Sequence, residues 1–323
     1  MQVVIDPPKG WAAAHRGRTR PLVYDCFPFF QELDILEIRL AELYDVVDFF
    51  ILGEARETFQ GASKPLYFQE NRARFAPYLD KICTVTVAGS DDPGPYRARR
   101  YDATKSRRSP AWTRQGAQRN ALIAGLADAR PDDWVLLSDL DEIPRGRVVG
   151  RVAQDPVFRR GVHIFENDYF KYALDRRRVG EPWCGARMLE RRAVRTMQDV
   201  RMLRHEPHQK SIAPWLTWRS RTMLETRALV FPQRIPDAGW HLTWIGEIES
   251  NLYKARSLSG GKGADLTDEE LRARFRRIYT GERDEAGEEY EIAPLADLPK
   301  AVREHPERYA HLMSEALMRE AVG

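Results

Sequence analysis

The stretch Trp134-Val-Leu-Leu-Ser138-Asp139-Leu-Asp141-Glu142-Ile-Pro144 decides the fold prediction for this chain. Its apolar run, Val135 to Leu137, predicts a buried strand of a parallel sheet, and Pro144 stops any regular extension. Because ligands of open α/β sheets bind at the carboxyl ends of strands, Asp139 and Asp141 are predicted to stand at a binding site. Two carboxylates one residue apart can share a hard divalent cation that also holds phosphate oxygens. That arrangement suits a nucleotide-diphosphate donor.

The segments before this stretch alternate between strand and helix patterns. Apolar or β-branched runs at Leu22 to Asp25, Val46 to Leu52 and Ile82 to Val87 predict strands. Gln31 to Tyr44 places leucines at helical spacing, and Arg114 to Ala129 predicts a helix that leads into the acidic strand. This order favours the α/β class, with a mixed sheet flanked by helices.

After Pro144 the periodicity changes, and the patterns predict antiparallel strands and then helices. We predict three parts in the chain. Residues 1–20 form a flexible N-terminal arm, 21–265 form one domain, and 266–323 form a helical C-terminal extension packed on that domain.

Composition and charge narrow the functional classes. The 323 residues are 43% hydrophobic, enough for one large domain, and 31% charged with a formal net charge of only +3. Charges of both signs are mixed along the chain, so we expect no nucleic-acid partner. The basic stretch 97–108 predicts either a solvated loop or a mobile loop that meets phosphates or an anionic acceptor.

The cysteines and apolar segments predict a cytoplasmic location. Cys26, Cys83 and Cys184 are widely spaced and form no zinc or disulfide pattern, which indicates structural thiols in a reducing compartment. The N-terminus has no apolar core of signal-peptide length, and no stretch approaches the ~20 apolar residues of a membrane span. We therefore expect a soluble, cytoplasmic protein without a transmembrane segment.

A histidine and several tryptophans are candidates for ligand binding. His241 is a candidate metal ligand because imidazole binds divalent transition metals and Mn²⁺ accepts mixed oxygen and nitrogen ligands, although a lone histidine is usually structural. Tryptophan rings can stack on sugars, and a place in the core is at least as common for any single one. The tryptophans concerned are Trp183, Trp215, Trp218, Trp240 and Trp244.

The helix before the acidic strand carries Gln118, Arg119 and Asn120, and Arg119 can pair with a diphosphate or simply lie on the surface. Glu54 ends the second predicted strand and can meet a ribose or base edge. Asp139 and Asp141 can alternatively cap a turn at the strand end. The chain contains no G-x-G-x-x-G, G-x-x-x-x-G-K-[ST], H-E-x-x-H or G-x-S-x-G pattern, which removes several common enzyme classes.

With these residues in view, the chain resembles the family 17 glycosyltransferases, as a soluble, bacterial-type member. The resemblance spans roughly residues 22–312 and rests on the order and spacing of several short blocks. The blocks are Tyr24 to Leu40, Val47-Asp48, Glu54, Lys64 to Phe68, Arg74 to Tyr78, Gln118-Arg119-Asn120, Ser138 to Pro144, Gly239 to Thr243, Leu298-Pro299 and Pro306 to Tyr309.

The resemblance implies a GT-A type fold, a UDP-sugar donor and transfer with inversion to a hydroxyl of a glycan or other acceptor, with N-acetylglucosamine favoured. It implies a Mn²⁺ or Mg²⁺ site at Asp139, Asp141 and His241. The donor-binding residues that it suggests are Glu54, Gln118, Arg119, Asn120, Asp139, Trp183, Gly185 and Trp240.

An inverting transfer needs a carboxylate that removes the acceptor hydroxyl proton. Glu249 and Glu247 are candidates because they follow His241 closely, and Asp199 is a third. Two other functions stay open. One is a non-catalytic carbohydrate- or nucleotide-sugar-binding protein, and the other is a HAD-type phosphohydrolase, whose nucleophile motif also has two aspartates one residue apart.

Overall fold

The structure, a computed structural model, describes residues 2–88, 110–159, 161–203, 232–260, 265–281 and 287–322. Its strands are β1 (Gln2–Asp6), β2 (Val23–Phe29), β3 (Phe49–Ala55), β4 (Ile82–Ala88), β5 (Trp134–Leu137), β6 (Glu142–Pro144), β7 (Val162–Lys171), β8 (Arg176–Arg178), β9 (Trp183–Glu190), β10 (Gln233–Thr243) and β11 (Tyr290–Ile292). Its α-helices are α1 (Trp11–His15), α2 (Leu33–Leu43), α3 (Tyr67–Glu70), α4 (Pro110–Ala121), α5 (Gly146–Gln154), α6 (Met197–Arg201), α7 (Ile248–Ser257), α8 (Asp268–Tyr279), α9 (Lys300–Glu304) and α10 (Ser314–Val322). Short 3₁₀ helices span Arg72–Tyr78, Leu122–Leu126, Pro156–Phe158, Arg191–Ala193, Leu295–Asp297 and Pro306–Leu312.

Within these ranges the strands form one mixed sheet of eleven strands, whose main path is β1-β4-β3-β2-β5-β9-β7-β10-β6. The four strands β4, β3, β2 and β5 are parallel, and β5 then pairs antiparallel with β9. The short strand β8 pairs with β7 and β11 beside the main path. The predicted α/β fold, with a mixed sheet flanked by helices, is therefore confirmed.

Side chains alternate across the sheet and build a core on each of its faces. Along β2, Phe27 and Phe29 join the core under α2, whereas Tyr24 and Cys26 join the core on the opposite face. That second core also receives Leu122 from the 3₁₀ helix that follows α4. This alternation is what a strand covered by helices on both sides requires.

The decisive stretch folds as its sequence predicts. Each of the four side chains of β5 is fully buried, and β5 runs parallel to β2. Pro144 ends the three-residue strand β6, which pairs antiparallel with β10. As a result, Glu142 is the register partner of His241, although about a hundred residues separate them in the chain.

The N-terminal arm needs a correction. Residues 1–20 are predicted to be flexible, but β1 pairs antiparallel with β4 and Trp11 of α1 packs on Phe49 with ring centroids 4.4 Å apart. The β-branched run Val3 to Ile5 pairs with the edge of the sheet, which an unstructured arm would leave open. The rest of the predicted domain division stays a prediction.

The described residues from 265 onward include three α-helices and one strand. Helices α8, α9 and α10 occur near the predicted positions, and β11 joins the sheet through β8. The backbone N–H of Lys300 donates to the Glu42 side chain of α2 at 3.1 Å, so the start of α9 contacts α2. No helix among the described residues combines the length and the apolarity that a membrane crossing requires.

Candidate active site

A cavity of about 230 Å³ opens at the carboxyl ends of β2, β3 and β5. The chain leaves β2 toward β3 on one side, and β5 pairs with β2 on the other side. This is a topological switch point, where open α/β sheets bind their ligands. The lining residues include Phe29, Phe30, Glu32, Glu57, Thr58, Phe59, Lys64, Gln115, Gln118, Arg119, Asp139, Leu140, Asp141, Glu142, Trp183, Arg201, His241, Trp244 and Lys254.

Two arginines hold Asp139. Arg119 of α4 donates to Oδ1 and Arg201 of α6 donates to Oδ2, both at 2.8 Å. Burial by itself raises the pKa of the Asp139 carboxyl, but the charges of Arg201 and Arg119 outweigh it and hold that pKa well below its usual range. Asp139 is therefore ionised and fixed in position at neutral pH.

Asp141 belongs to a second charged group. The ammonium of Lys254, on α7, lies 3.2 Å from Asp141 Oδ2 and 2.9 Å from Glu32 Oε1. Burial alone lowers the pKa of Lys254, but the two carboxylates raise it above its ordinary value. Burial also raises the pKa of Glu32, and Lys254 reverses this so that the pKa of Glu32 is lowered. Lys254 and Glu32 therefore both carry charge at neutral pH.

His241 stands beside Asp141 with its ring clamped between two aromatic side chains. Tyr169 and Trp183 stack on it with ring centroids 4.7 and 4.6 Å away. The Nε2 atom lies 3.7 Å from Asp141 Oδ1, too far for a hydrogen bond. The Nδ1 atom is buried and has no hydrogen-bond partner among the described residues. Burial lowers the pKa of His241, so its ring is neutral at pH 7 and one of its two nitrogens is available as a metal ligand.

Glu142 connects the Asp139 group to Trp183. It is fully buried and accepts hydrogen bonds from Trp183 Nε1 at 2.6 Å and Arg201 at 2.9 Å, and from the Asp139 backbone N–H at 3.0 Å. A Cβ on Gly185 would lie 2.7 Å from the Glu142 carboxyl carbon and 2.9 Å from Trp183. Glycine at position 185 therefore leaves the space that Glu142 occupies.

A buried arginine holds residues 138–142, the acidic turn, in place. Arg39 of α2 forms a two-point ion pair with Asp25 of β2, at 2.8 and 2.6 Å. It also donates to the backbone carbonyls of residues 139, 140 and 142 at 3.0 to 3.2 Å and to Ser138 Oγ at 2.7 Å. Since Arg39 is fully buried, these bonds fix the direction in which the carboxylates of the turn point.

The chemistry of the site fits a divalent cation. Asp141 and His241 present a carboxylate oxygen and an imidazole nitrogen that are not bonded to each other, which are ligands that Mn²⁺ accepts. No group of three or more metal-binding side chains occurs within the described ranges. Small divalent cations often use one or two carboxylates and take substrate phosphates and water as their other ligands.

The structure brings part of the predicted donor set to the cavity. Arg119, Gln118 and Trp183 line it together with the two aspartates. Asn120 instead accepts a hydrogen bond from the backbone N–H of Gln198 at 2.9 Å, which docks α6 on α4.

Two other predicted donor residues lie away from the lining of the cavity. Glu54 is buried under α3, where it accepts a hydrogen bond from the Phe68 N–H at 3.0 Å, and burial raises the pKa of Glu54 to about 7. Trp240 points to the opposite face of β10 from His241, and its Nε1 donates to the Asp297 carbonyl at 2.7 Å.

The three residues predicted as candidate bases also lie away from the lining of the cavity. Glu247 is exposed at the start of α7, and Glu249 is exposed and paired with Arg272 at 2.6 Å. Asp199 is buried in α6, where its backbone N–H is capped by Thr196. The basic stretch 97–108, Trp215 and Trp218 lie outside the described residues.

Several cavity residues escaped sequence reasoning, namely Glu32, Glu57, Arg201 and Lys254. Arg201 and Lys254 are single cations on otherwise ordinary helices. Glu32 lies three residues after Phe29, the last residue of β2, on the side of the sheet where β5 also ends, and this position shortly after a buried strand was the available signal.

The fold and the site define an α/β protein with an ionised, pre-positioned acidic site at the switch point of its sheet. Comparison with known proteins makes this more specific. The family model "Glycosyltransferase family 17" matches residues 8–176, about half of the chain. The chain therefore belongs to glycosyltransferase family 17, a family of sugar-transferring enzymes.

Curated relatives agree with this assignment. Beta-1,4-mannosyl-glycoprotein 4-beta-N-acetylglucosaminyltransferase from Homo sapiens and from Rattus norvegicus are each 25% identical over 249 residues, covering 71% of this chain. The match covers 42% of the human protein and 41% of the rat protein, so the chain spans less than half of their length.

A solved structure, glucosyl-3-phosphoglycerate synthase from Mycobacterium tuberculosis in complex with Mn²⁺, UDP and phosphoglyceric acid, covers 87% of the chain and is itself covered to 89%. Its sequence identity to the chain is 13%, and the TM-score is 0.32.

Proposed function

We propose that the protein is a divalent-cation-dependent, inverting glycosyltransferase of the GT-A type that moves a sugar from a UDP-sugar to a hydroxyl of a glycan or other acceptor. N-acetylglucosamine is the favoured sugar because the curated relatives are named as N-acetylglucosaminyltransferases. The observation that carries the proposal is the acidic pair Asp139 and Asp141, which ends β5 inside the cavity at the switch point.

Asp141 and His241 would hold the cation, with Asp139 beside them. When bound, the cation neutralises charge on the diphosphate leaving group. Arg119 and Arg201 keep Asp139 ionised and in place, and they add positive charge where the diphosphate would lie. Phe30 and Thr58, at the ends of β2 and β3, offer an aromatic face and a hydroxyl for the nucleoside.

The acceptor hydroxyl must lose a proton to a carboxylate within reach. Glu32 and Glu57 line the cavity outside the acidic turn, so we propose them as proton acceptors ahead of Glu247, Glu249 and Asp199. Glu32 is held at 2.9 Å by Lys254, which keeps it ionised. An ionised carboxylate is the form that can accept the proton.

The free cysteines support a reducing, cytoplasmic compartment for this reaction. Cys26, Cys83 and Cys184 form no disulfide, and burial raises the pKa of each of these thiols. A raised thiol pKa makes the reactive thiolate scarce, so these groups act as structural side chains.

The test is a donor screen with a matched variant pair. The protein is titrated with UDP, GDP, TDP and CMP, each with Mn²⁺ or with EDTA, and melting temperatures are recorded. UDP should stabilise the native state only with the metal, and release of UDP from UDP-N-acetylglucosamine should require it.

Asp141→Asn should abolish the metal-dependent shift, whereas Asp45→Asn, whose side chain is 79% exposed, should leave it unchanged. Sugar binding without release of UDP would favour the non-catalytic binding protein. Phosphatase activity without a sugar donor would favour the phosphohydrolase. Stabilisation by UDP that ignores both the metal and Asp141 would overturn the assignment of the cation site.

A further inference from the structure

A second cavity, of about 460 Å³, lies on the other side of Asp139 from the ends of β2 and β3. It shares Arg119, Asp139, Trp183 and Arg201 with the proposed donor cavity, so the two cavities meet at the Asp139 ion pairs. The residues that line only the second cavity include Trp112, Pro182, Cys184, Arg187, Gln198 and Met202. Its volume falls within the range of small-ligand sites.

The charges of this second cavity do not balance within the described residues. Three arginines line it, Arg119, Arg187 and Arg201, and Asp139 is the one carboxylate that lines it with them. Both oxygens of Asp139 already accept from Arg119 and Arg201. Arg187 is thus the cation without a carboxylate in hydrogen-bonding contact. A buried cation normally has such a partner, because an unpaired buried charge is costly.

The Arg187 guanidinium also has one nitrogen without a hydrogen-bond partner among the described residues. Arg187 is 4% exposed, and its Nε and Nη2 donate to the Leu203 carbonyl at 3.2 and 2.8 Å. Its Nη1 is buried with no hydrogen-bond partner among the described residues, and the same is true of Arg119 Nε. Burial and the neighbouring charge of Arg201 lower the pKa of Arg187 to about 9. Arg187 and Arg119 line the same cavity, and each therefore has one guanidinium nitrogen without a hydrogen-bond acceptor among the described residues.

We propose that this second cavity is an anion subsite, in which Arg187 binds a phosphate or carboxylate group of a ligand that reaches Asp139. Guanidinium groups pair with such planar or tetrahedral oxyanions through two parallel hydrogen bonds. Trp112 and Trp183 flank the site and offer flat surfaces for the uncharged part of the ligand. The proposal rests on the proposed function only for the source of the anion, which is either the UDP-sugar diphosphate or an anionic acceptor.

The experiment compares Arg187→Met with Arg187→Lys and with Arg151→Met, an exposed arginine on α5 that controls for the change in net charge. Titration calorimetry measures binding of inorganic phosphate to the free protein and to the protein saturated with UDP and Mn²⁺. It also measures binding of UDP itself. Melting curves confirm that each variant is folded, and if Arg187→Met fails to fold, Arg187→Lys carries the comparison.

If the subsite binds an anionic acceptor, phosphate should still bind to the UDP-saturated protein. Arg187→Met should then weaken phosphate binding about tenfold or more while the affinity for UDP is unchanged. A donor diphosphate in the subsite predicts that phosphate competes with UDP, and that Arg187→Met weakens UDP binding by a similar factor. Arg187→Lys should keep part of the affinity in either case, because the charge remains and the two-point geometry is lost.

If Arg187→Met changes the affinity for both phosphate and UDP less than twofold, as Arg151→Met should, Arg187 is a structural cation and the proposal is wrong. If UDP does not bind at all but phosphate binds through Arg187, the anion subsite stands and the proposed function fails. The two ideas can therefore fail separately.

Discussion

Replacing Asp139 by asparagine should destabilise the fold much more than the same change at Asp141. Among the described residues, the Asp139 carboxylate is the single charged partner of Arg119, which otherwise donates to the neutral amide of Gln198 at 2.6 Å. Arg201 would keep Glu142 at 2.9 Å. The variant therefore leaves one guanidinium, whose side chain is 4% exposed, without a counterion.

The magnitude follows from these contacts. Removing one partner of a buried ion pair typically costs about 3–5 kcal/mol because the other charge stays buried and unpaired. The Asp139 side chain is 30% exposed, so water can reach the site and a loss of about 2–3 kcal/mol is expected. In Asp141→Asn, Lys254 keeps Glu32 at 2.9 Å, so the expected loss is about 1 kcal/mol or less.

Urea denaturation at pH 7, followed by circular dichroism, measures the free energy of unfolding of both variants. A second change sharpens the test. In the Asp139→Asn background, Arg119→Met removes the unpaired charge and should recover part of the lost stability, whereas in the wild-type background it should be destabilising. Equal losses in the two aspartate variants, or no recovery in the double variant, would refute the reasoning. If the prediction holds, loss of activity in Asp141→Asn is the cleaner evidence for a role in catalysis.

Three further predictions concern stability. Arg187→Met should raise the free energy of unfolding by about 1–2 kcal/mol at pH 7, because it removes a cation whose pKa is lowered by burial to about 9. Urea titrations should show that this gain in stability shrinks as the pH rises through 9. Burial raises the pKa of Glu54 to about 7, so the wild type should lose up to about 3 kcal/mol between pH 5 and pH 8 as the native carboxyl is forced to ionise. Glu54→Gln should flatten this pH dependence of the melting temperature, and an unchanged slope would contradict the assigned pKa. Gly185→Ala should lower both the melting temperature and UDP affinity because the new Cβ would lie 2.7 Å from the Glu142 carboxyl carbon, whereas Gly150→Ala, with its nearest atom at 3.4 Å, should do neither.

Local sequence patterns were sufficient to predict the parallel half of the sheet. The apolar run of β5 and the leucine spacing of α2 are signals that a single segment contains, and both elements lie within a few residues of the predicted bounds. The acidic pair was found for the same reason, since a strand end is visible in the sequence. His241 was a candidate metal ligand from its residue type, and only the family resemblance placed it with the two aspartates, because the pairing of β10 with β6 joins distant segments.

Two predicted site residues that lie away from the cavity show what local sequence patterns do not predict. Glu54 stands at a strand end, but strand alternation turns its side chain to the face covered by α2 and α3. Glu249 follows His241 closely, yet on a helix it lies about 140° around the axis from Lys254, the residue of α7 that reaches the acidic turn. Proximity in sequence to a site residue therefore does not predict which way a side chain points. That direction depends on the position of the residue within the period of its strand or helix.

The cations that organise the site were invisible for a different reason. Arg39, Arg201 and Lys254 each sit on a helix with mixed charges, where most such residues face solvent. Their roles come from burial, which turns an ordinary cation into the partner of a particular carboxylate. Burial in turn depends on how α2, α6 and α7 dock on the sheet, and no single segment encodes that docking.

The same cations define what ligand binding must change. Lys254 lies 3.2 Å from Asp141 Oδ2, on the carboxylate that would also face a metal ion beside His241. Two positive charges cannot share one carboxylate at close range without a strong electrostatic penalty. A diphosphate bound beside the proposed cation would supply the missing negative charge, so Lys254 could remain with Glu32 while Asp141 faced the cation. The cation and the donor should accordingly bind together, each much more weakly alone, and Lys254→Met should raise the affinity for Mn²⁺ alone while it weakens the joint binding of Mn²⁺ and UDP. Equal affinity for Mn²⁺ in the wild type and in this variant, measured by titration calorimetry without nucleotide, would show that Lys254 does not compete for Asp141.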